Sequence, residues 1–422
     1  MKRTIYKRLF AIFCVLLIIS QMGHVAASYH REQQEAEQAG TAIKEPDKLT
    51  LWYTDEKLNA YLVEAAAEFE EEHYAEVTLQ LVTAVDYIEH INTASISDLG
   101  GPDLFITSSE LLEKARLAGL TVENDSFSDR ELEKYIPQKA QDAATCGGKL
   151  MAYPFYFETC FLLYNKNYTD AAPAAIDDIL AYSDSFEGSE ETEKVETIFK
   201  WNVADIFYDF FFISNYVDLG GPTGDDREQV DLSAPEILRC LEYYQSLNEF
   251  FAIDADEVTT DSVLQEFIDG KIVYTIAKTD AIARLDESEI AGSYGIAQVP
   301  DLTEELKTRG LSVTNSVVVN AYSKERELAK EFARYLTYDK ADDLYSMANK
   351  MPVKLGVEYE NEEMQILFAQ YENSLEVPKL TDLSNYWIEM EIAFSNIWRG
   401  NDVSTEMETV TAKIQKQLSA EE

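Results

Sequence analysis

The chain has 422 residues, 46% of them hydrophobic, and its 78 acidic and 35 basic side chains give a net charge of −43. That length is enough for two lobes and a large core, and the hydrophobic share excludes a chain disordered throughout. The negative field repels nucleic acid, and no basic patch or RNA-binding signature offsets it.

Taken in order, the first residues read as a targeting segment. Lys2, Arg3, Lys7 and Arg8 precede an apolar run over residues 9–19, and Val25, Ala26 and Ala27 are small residues suited to cleavage. Residues 1–27 are expected to be a cleaved signal peptide. An uncleaved anchor is the alternative, although the run is short for a membrane span of roughly 20 residues. Cys14 follows Phe13 and lies too early for a lipobox. Residues 28–47 have no apolar periodicity and read as a tether.

Folded structure is expected from Lys48. Leu49, Leu51 and Tyr53 alternate with polar or outward neighbours as a first strand, and Thr54-Asp55 can cap a helix with Leu58, Leu62, Ala66 and Phe69 on one face. Strands over 77–81 and 104–107 follow, with a polar helix between them and a helix over 111–118 that stops at Gly119. Alternating strands and helices predict a parallel sheet with covering helices. Residues 147–167 then read GGKLMAYPFYFETCFLLYNKN: a glycine turn, then strands packing six aromatics around one carboxylate, Glu158. A carboxylate in such a run must be paired, hydrogen-bonded or facing a wet cleft.

Farther on, residues 198–219 are almost continuously apolar and 221–232 form an exposed acidic loop. Residues 236–250 make an amphipathic helix, and 263–276 a helix leading to a buried strand. A strand over 311–320, a helix capped by Ser323 and two tail helices over 387–398 and 404–418 complete the pattern. Four histidines in all leave metal clusters and histidine triads poorly supplied, and no phosphate loop, GxSxG, HExxH or dinucleotide fingerprint is present. No cofactor, no metal and no covalent chemistry are expected. Cys146, Cys160 and Cys240 match no zinc or redox spacing; they form either one disulfide and a free thiol or three buried thiols.

The run GKLMAYPFYFET…LLYNKN resembles the crossover segment of ABC-importer solute-binding proteins, above all maltose- and maltodextrin-binding proteins. LTLWYTDEK, GPDLFI…LAGL, FIDGKIVYTIA, VNAYSKERELAKEFARYLT and LSNYWIEMEIAF continue the likeness in order, from about residue 49 to residue 418. The resemblance implies an α/β, two-lobe periplasmic-binding-protein fold of type II, each lobe a mostly parallel sheet flanked by helices, with ligand in the cleft at the hinge. It implies an N-lobe of 49–157 and 305–348 and a C-lobe of 158–304 and 349–422. It also implies a carbohydrate ligand, an ABC permease as partner, a monomer, and a location outside the cytoplasmic membrane.

Residue by residue, Glu158 falls on the family's crossover glutamate, Glu56 and Lys57 on an acidic–lysine pair that binds sugar hydroxyls, and Glu110 where these binders have an aspartate. Trp387 falls on a tryptophan that stacks on a sugar ring. Thr107 and Asp280 stand where the family has tryptophans, and Leu111 replaces an arginine. Trp201 and Tyr208 either line the second lobe's side of the cleft or pack in its core. Charged partners for hydroxyls and an indole for the sugar's apolar face make a chemically sensible set. A cationic ligand such as a polyamine is the alternative, because Glu56, Glu110, Glu158 and Asp280 would suit it. A carboxylate-dependent glycosidase is the enzymatic rival, and a binding protein that reports to a membrane receptor is a third class.

Overall fold

A computed structural model describes residues 45–97, 100–190, 192–359, 361, 363–383 and 385–419. The expected signal segment and the tether up to residue 44 lie outside the described residues. Among the described residues no helix is long and apolar enough to cross a membrane.

Ten strands form the main sheet: β1 (Asp47–Tyr53), β2 (Ala75–Leu81), β3 (Leu104–Ser108), β4 (Tyr153–Asn165), β5 (Thr197–Phe199), β6 (Ile272–Lys278), β7 (Tyr294–Ala297), β8 (Leu311–Val319), β9 (Met351–Pro352) and β10 (Leu375–Glu376). Their order is β2-β1-β3-β8-β4-β6-β5, with β7 and β9 also pairing β4 and β10 pairing β8. The parallel pairing expected from the strand–helix alternation holds for β1 with β3 and for β6 with β5. β8 runs antiparallel to β3 and β4, and β4 antiparallel to β6 and β7, so the sheet is mixed where the chain crosses it.

The aromatic run at the centre of the sequence is one continuous strand of 13 residues, and Glu158 is the residue of it that is not buried. Its first half, Tyr153 to Thr159, pairs with β8; from Cys160 to Asn165 it pairs with β6 and β7. The change of partner comes between Thr159 and Cys160, one residue past Glu158. Register with β8 slips between Asn315 and Ser316, opposite Pro154 and Tyr156. A bulge there suits a proline, which has no N–H to give to the ladder.

The side chains divide accordingly. Tyr153, Phe155 and Tyr156 pack with Leu49, Leu104, Val317 and Phe332 in one core. Phe157, Phe161 and Tyr164 pack in a larger core with residues of the 198–219 segment and of the helices Pro235–Phe251 and Tyr386–Trp398. One strand thus bolts two cores together. The acidic stretch after residue 220 is tied down more than its composition suggests. Asp218–Leu219 and Val230–Asp231 make a small hairpin, and Asp225 accepts the Gly147 N–H at 2.7 Å. Cys146, Cys160 and Cys240 are three separate buried thiols.

Candidate functional site

The candidate polar residues cluster where strands end. Asp55, Glu56 and Lys57 come directly after β1, Ser109 and Glu110 after β3, Asn202 shortly after β5, and Asp280 after β6. Three of these junctions tighten at once into 3-10 turns, at Glu56–Leu58, Ser109–Leu111 and Thr279–Ala281. Asp55 caps the first by accepting the Lys57 N–H at 2.9 Å. In α/β sheets the crevice outside the carboxyl ends of strands is the usual ligand site, because loops there can vary without disturbing the ladder.

The two sets of strand ends meet. Lys57, from the β1 side, and Asp280, from the β6 side, line one cavity of about 200 Å³ together with Asn202, Tyr208, Thr260 and Lys278. The volume is below the roughly 300–1,000 Å³ of drug-sized sites, so the cavity is one subsite of a crevice. The Tyr208 hydroxyl is buried and has no hydrogen-bond partner among the described residues. The Lys278 ammonium lies 5.3 Å from the Phe207 ring and 5.7 Å from the Tyr208 ring. Asn202 donates to Thr260 Oγ1 at 3.0 Å. The subsite therefore offers hydroxyl, amide, ammonium and carboxylate groups around a small space, a donor and acceptor mix fitted to a polyhydroxylated ring.

Glu158 is paired through a residue that the sequence reading did not single out. Lys350 Nζ lies 2.6 Å from Asp55 Oδ2 and 3.0 Å from Glu158 Oε1, with its side chain 5% exposed against 28% for Glu158. The ammonium also lies 5.1 Å from the centre of the Tyr156 ring. Burial acts to raise the Asp55 carboxyl, but the hydrogen bond and charge of Lys350 outweigh it and hold the group below its ordinary value. For Lys350 burial acts downward, and Glu158 and Asp55 together carry the ammonium above its ordinary value. Both groups stay charged at neutral pH.

Glu110 is exposed to solvent and does not line the Lys57–Asp280 cavity, yet enough protein surrounds it that desolvation raises its carboxyl above the usual value. Its neighbour Ser109 is fixed from behind. Glu376 on β10 accepts from Ser109 Oγ at 2.7 Å, Ser312 Oγ at 2.7 Å and the Thr314 N–H at 2.6 Å, with Lys139 Nζ at 4.0 Å.

Two expected residues stand differently. Trp201 has no exposed surface: its ring stacks on Phe199 at 4.7 Å and its indole N–H donates to buried Asp209 at 2.7 Å. In this conformation it is a core residue with no surface open to a cleft, the second of the two expectations for it and not the cleft-lining one. Trp387 is half-buried, edge-on to Phe210 at 4.9 Å, and does not line the Lys57–Asp280 cavity. Thr107 is buried in β3, and Leu111 packs at the margin of a small core around Trp52, so neither restores the aromatic or cationic group that the resemblance led us to look for. Lys350, Lys278 and Asn202 were not singled out by sequence reasoning. Only the asparagine of Trp201-Asn202, just after a strand, carried a local signal.

The family model for bacterial extracellular solute-binding proteins matches residues 64–363. A maltotriose-binding protein of Pyrococcus abyssi is 24% identical over 243 residues, which are 56% of this chain and 51% of that protein. The chain thus spans about half the length of this curated relative. Among solved structures, the Staphylococcus aureus extracellular solute-binding protein in complex with maltose superimposes with a TM-score of 0.77 at 20% identity, over 90% of this chain and 99% of that one. The maltose-binding periplasmic protein of Listeria monocytogenes, also in complex with maltose, gives 0.75 at 20% identity, over 90% and 100%. At these identities the structures speak for the fold, and the family model covers most of the chain. The chain belongs to the bacterial extracellular solute-binding proteins.

Proposed function

We propose that the chain is the exported substrate-binding subunit of an ABC importer, and that it captures a carbohydrate, an oligosaccharide of the maltodextrin kind, between two lobes. The observation that carries this reading is the meeting of strand ends: Lys57 and Asp280, 223 positions apart, line one polar cavity, with the Asp55–Lys350–Glu158 bridge on the strand that joins the two cores. The lobes are 49–157 with 305–348, and 158–304 with 349–422. Glu56, Lys57, Glu110, Glu158 and Asp280 serve as polar contacts and Trp387 as a stacking face. Ligand favours the closed arrangement of the lobes, and the closed monomer docks on a membrane permease. Residues 1–27 direct export and are cleaved or kept as an anchor. The named relatives are binding proteins, which supports a chain that binds and releases without chemistry.

A thermal-shift panel tests this. Mono- and oligosaccharides are compared with polyamines and amino acids. A ligand at ~100 times its dissociation constant that binds only the folded state adds about 2.7 kcal/mol. A raised midpoint with one carbohydrate class is the expected result. A rise with polyamines alone would keep the fold and overturn the ligand.

A further inference from the structure

Lys350 reaches the crevice from a stretch of chain remote from both carboxylates it joins. The short helix Leu344–Ala348 ends at Asn349 in the left-handed region, φ 53°, and Lys350 follows directly, ahead of β9 on the edge of β4. Its ammonium meets Asp55 Oδ2 at 2.6 Å, Glu158 Oε1 at 3.0 Å and the Tyr156 ring at 5.1 Å. Opposed carboxylates and an aromatic face are how proteins hold an alkylammonium ligand. Here the chain supplies the ammonium itself.

We propose that Lys350 is an internal counter-cation that sets the ligand class of this crevice. It fills the place a cationic ligand would take, and it leaves Asp55 and Glu158 as neutralised acceptors for the hydroxyls of an uncharged carbohydrate. The inference rests on the crevice being the ligand site. A polyamine would have to displace an ammonium only 5% exposed, whereas a sugar hydroxyl needs one free lone pair. Glu158 spends Oε1 on the lysine, and its side chain remains 28% exposed, which leaves acceptor capacity for a hydroxyl. Discrimination of this kind works by excluding the wrong partner as much as by attracting the right one. It also explains why an acidic set that would suit a cation on paper belongs in a sugar site.

Titrating the full chain with spermidine and, separately, with maltotriose, read by thermal shift and calorimetry, tests the proposal. Wild-type protein is expected to ignore spermidine. Lys350→Met is expected to gain a spermidine-dependent rise in midpoint and to bind maltotriose about tenfold or more weakly. Lys350→Arg, which keeps the cation, is expected to stay silent to spermidine. Lys350→Gln removes the charge while keeping hydrogen bonds to both carboxylates, and is expected to gain the spermidine response even where Lys350→Met does not fold. Spermidine binding by the wild type, or a folded charge-free variant that stays silent to spermidine, overturns the proposal. A wild-type chain that binds no carbohydrate would overturn the ligand reading, while the spermidine comparison would still report on Lys350.

Discussion

Two carboxylates flank β8, and they differ in what surrounds them. Glu158 on β4 lies opposite Val313, and Glu376 on β10 lies opposite Ser312. Glu376 is 8% exposed and accepts from two hydroxyls and a backbone N–H, with an ammonium 4.0 Å away. Among the described residues the Glu158 side chain accepts from Lys350, and it is 28% exposed. A buried carboxylate held by three hydrogen bonds is a structural joint, whereas one with spare acceptor capacity beside solvent can still trade partners with a ligand. The contrast separates a scaffold carboxylate from a candidate site carboxylate without reference to any relative.

The largest effects should come from the scaffold side. Trp201→Ala is expected to cost about 3–5 kcal/mol of stability, as large-to-small changes in a packed core do, read by chemical denaturation. Ligand affinity measured on the folded fraction should stay put. Glu376→Ala strands the Ser109 and Ser312 hydroxyls and the Thr314 N–H, and should cost about 3–5 kcal/mol. Equal stability of that variant and wild type would erase the contrast between the two glutamates.

The site side should respond in affinity. Glu158→Ala leaves Lys350 with Asp55, so the stability change should be smaller, about 1–2 kcal/mol, while carbohydrate affinity falls tenfold or more. Trp387→Ala is expected to weaken binding by a smaller factor, worth about 0.5–1.5 kcal/mol for a lost stacking face, seen by calorimetry.

Acid should sharpen the comparison further. Asp55 is held below its ordinary value, so the stability it contributes is complete above the unfolded carboxyl value and is lost as pH falls through the folded one. Lys350 is held above its ordinary value, so its contribution is complete below the unfolded ammonium value and is lost as pH rises through the folded one. The bridge is whole across neutral pH. Asp209 behaves oppositely: burial pushes its carboxyl well up despite the Trp201 N–H, so the folded chain favours its protonated form. Asp209→Asn should therefore raise the melting midpoint at neutral pH, and the gain should shrink as pH falls.

Much of this was legible in the sequence where a short window carries the signal. Alternation marked β1 and β2, helical spacing marked the helices Asn59–His73 and Pro235–Phe251, and a charged residue inside an aromatic run marked Glu158. What escaped depends on distant parts of the chain. Lys350 lies 192 positions from Glu158, and Glu376 lies 267 from Ser109; neither has a local pattern that sets it apart in a chain with 78 acidic residues. Trp201 was ambiguous for a different reason. A tryptophan just after a strand serves equally as core filler and as stacking platform, and only its contacts with Phe199, Asp209 and Trp398 decide.

The measurement that tests the assignment most directly is a calorimetric titration of wild type and Glu158→Ala with maltotriose and longer maltodextrins, alongside the melting midpoint of each free protein. Saturable binding by wild type that weakens at least tenfold in Glu158→Ala, with the variant still folded, is the predicted result. Equal affinity in the two proteins would contradict the placement of the site on β4, and no binding of any carbohydrate by folded wild type would contradict the ligand.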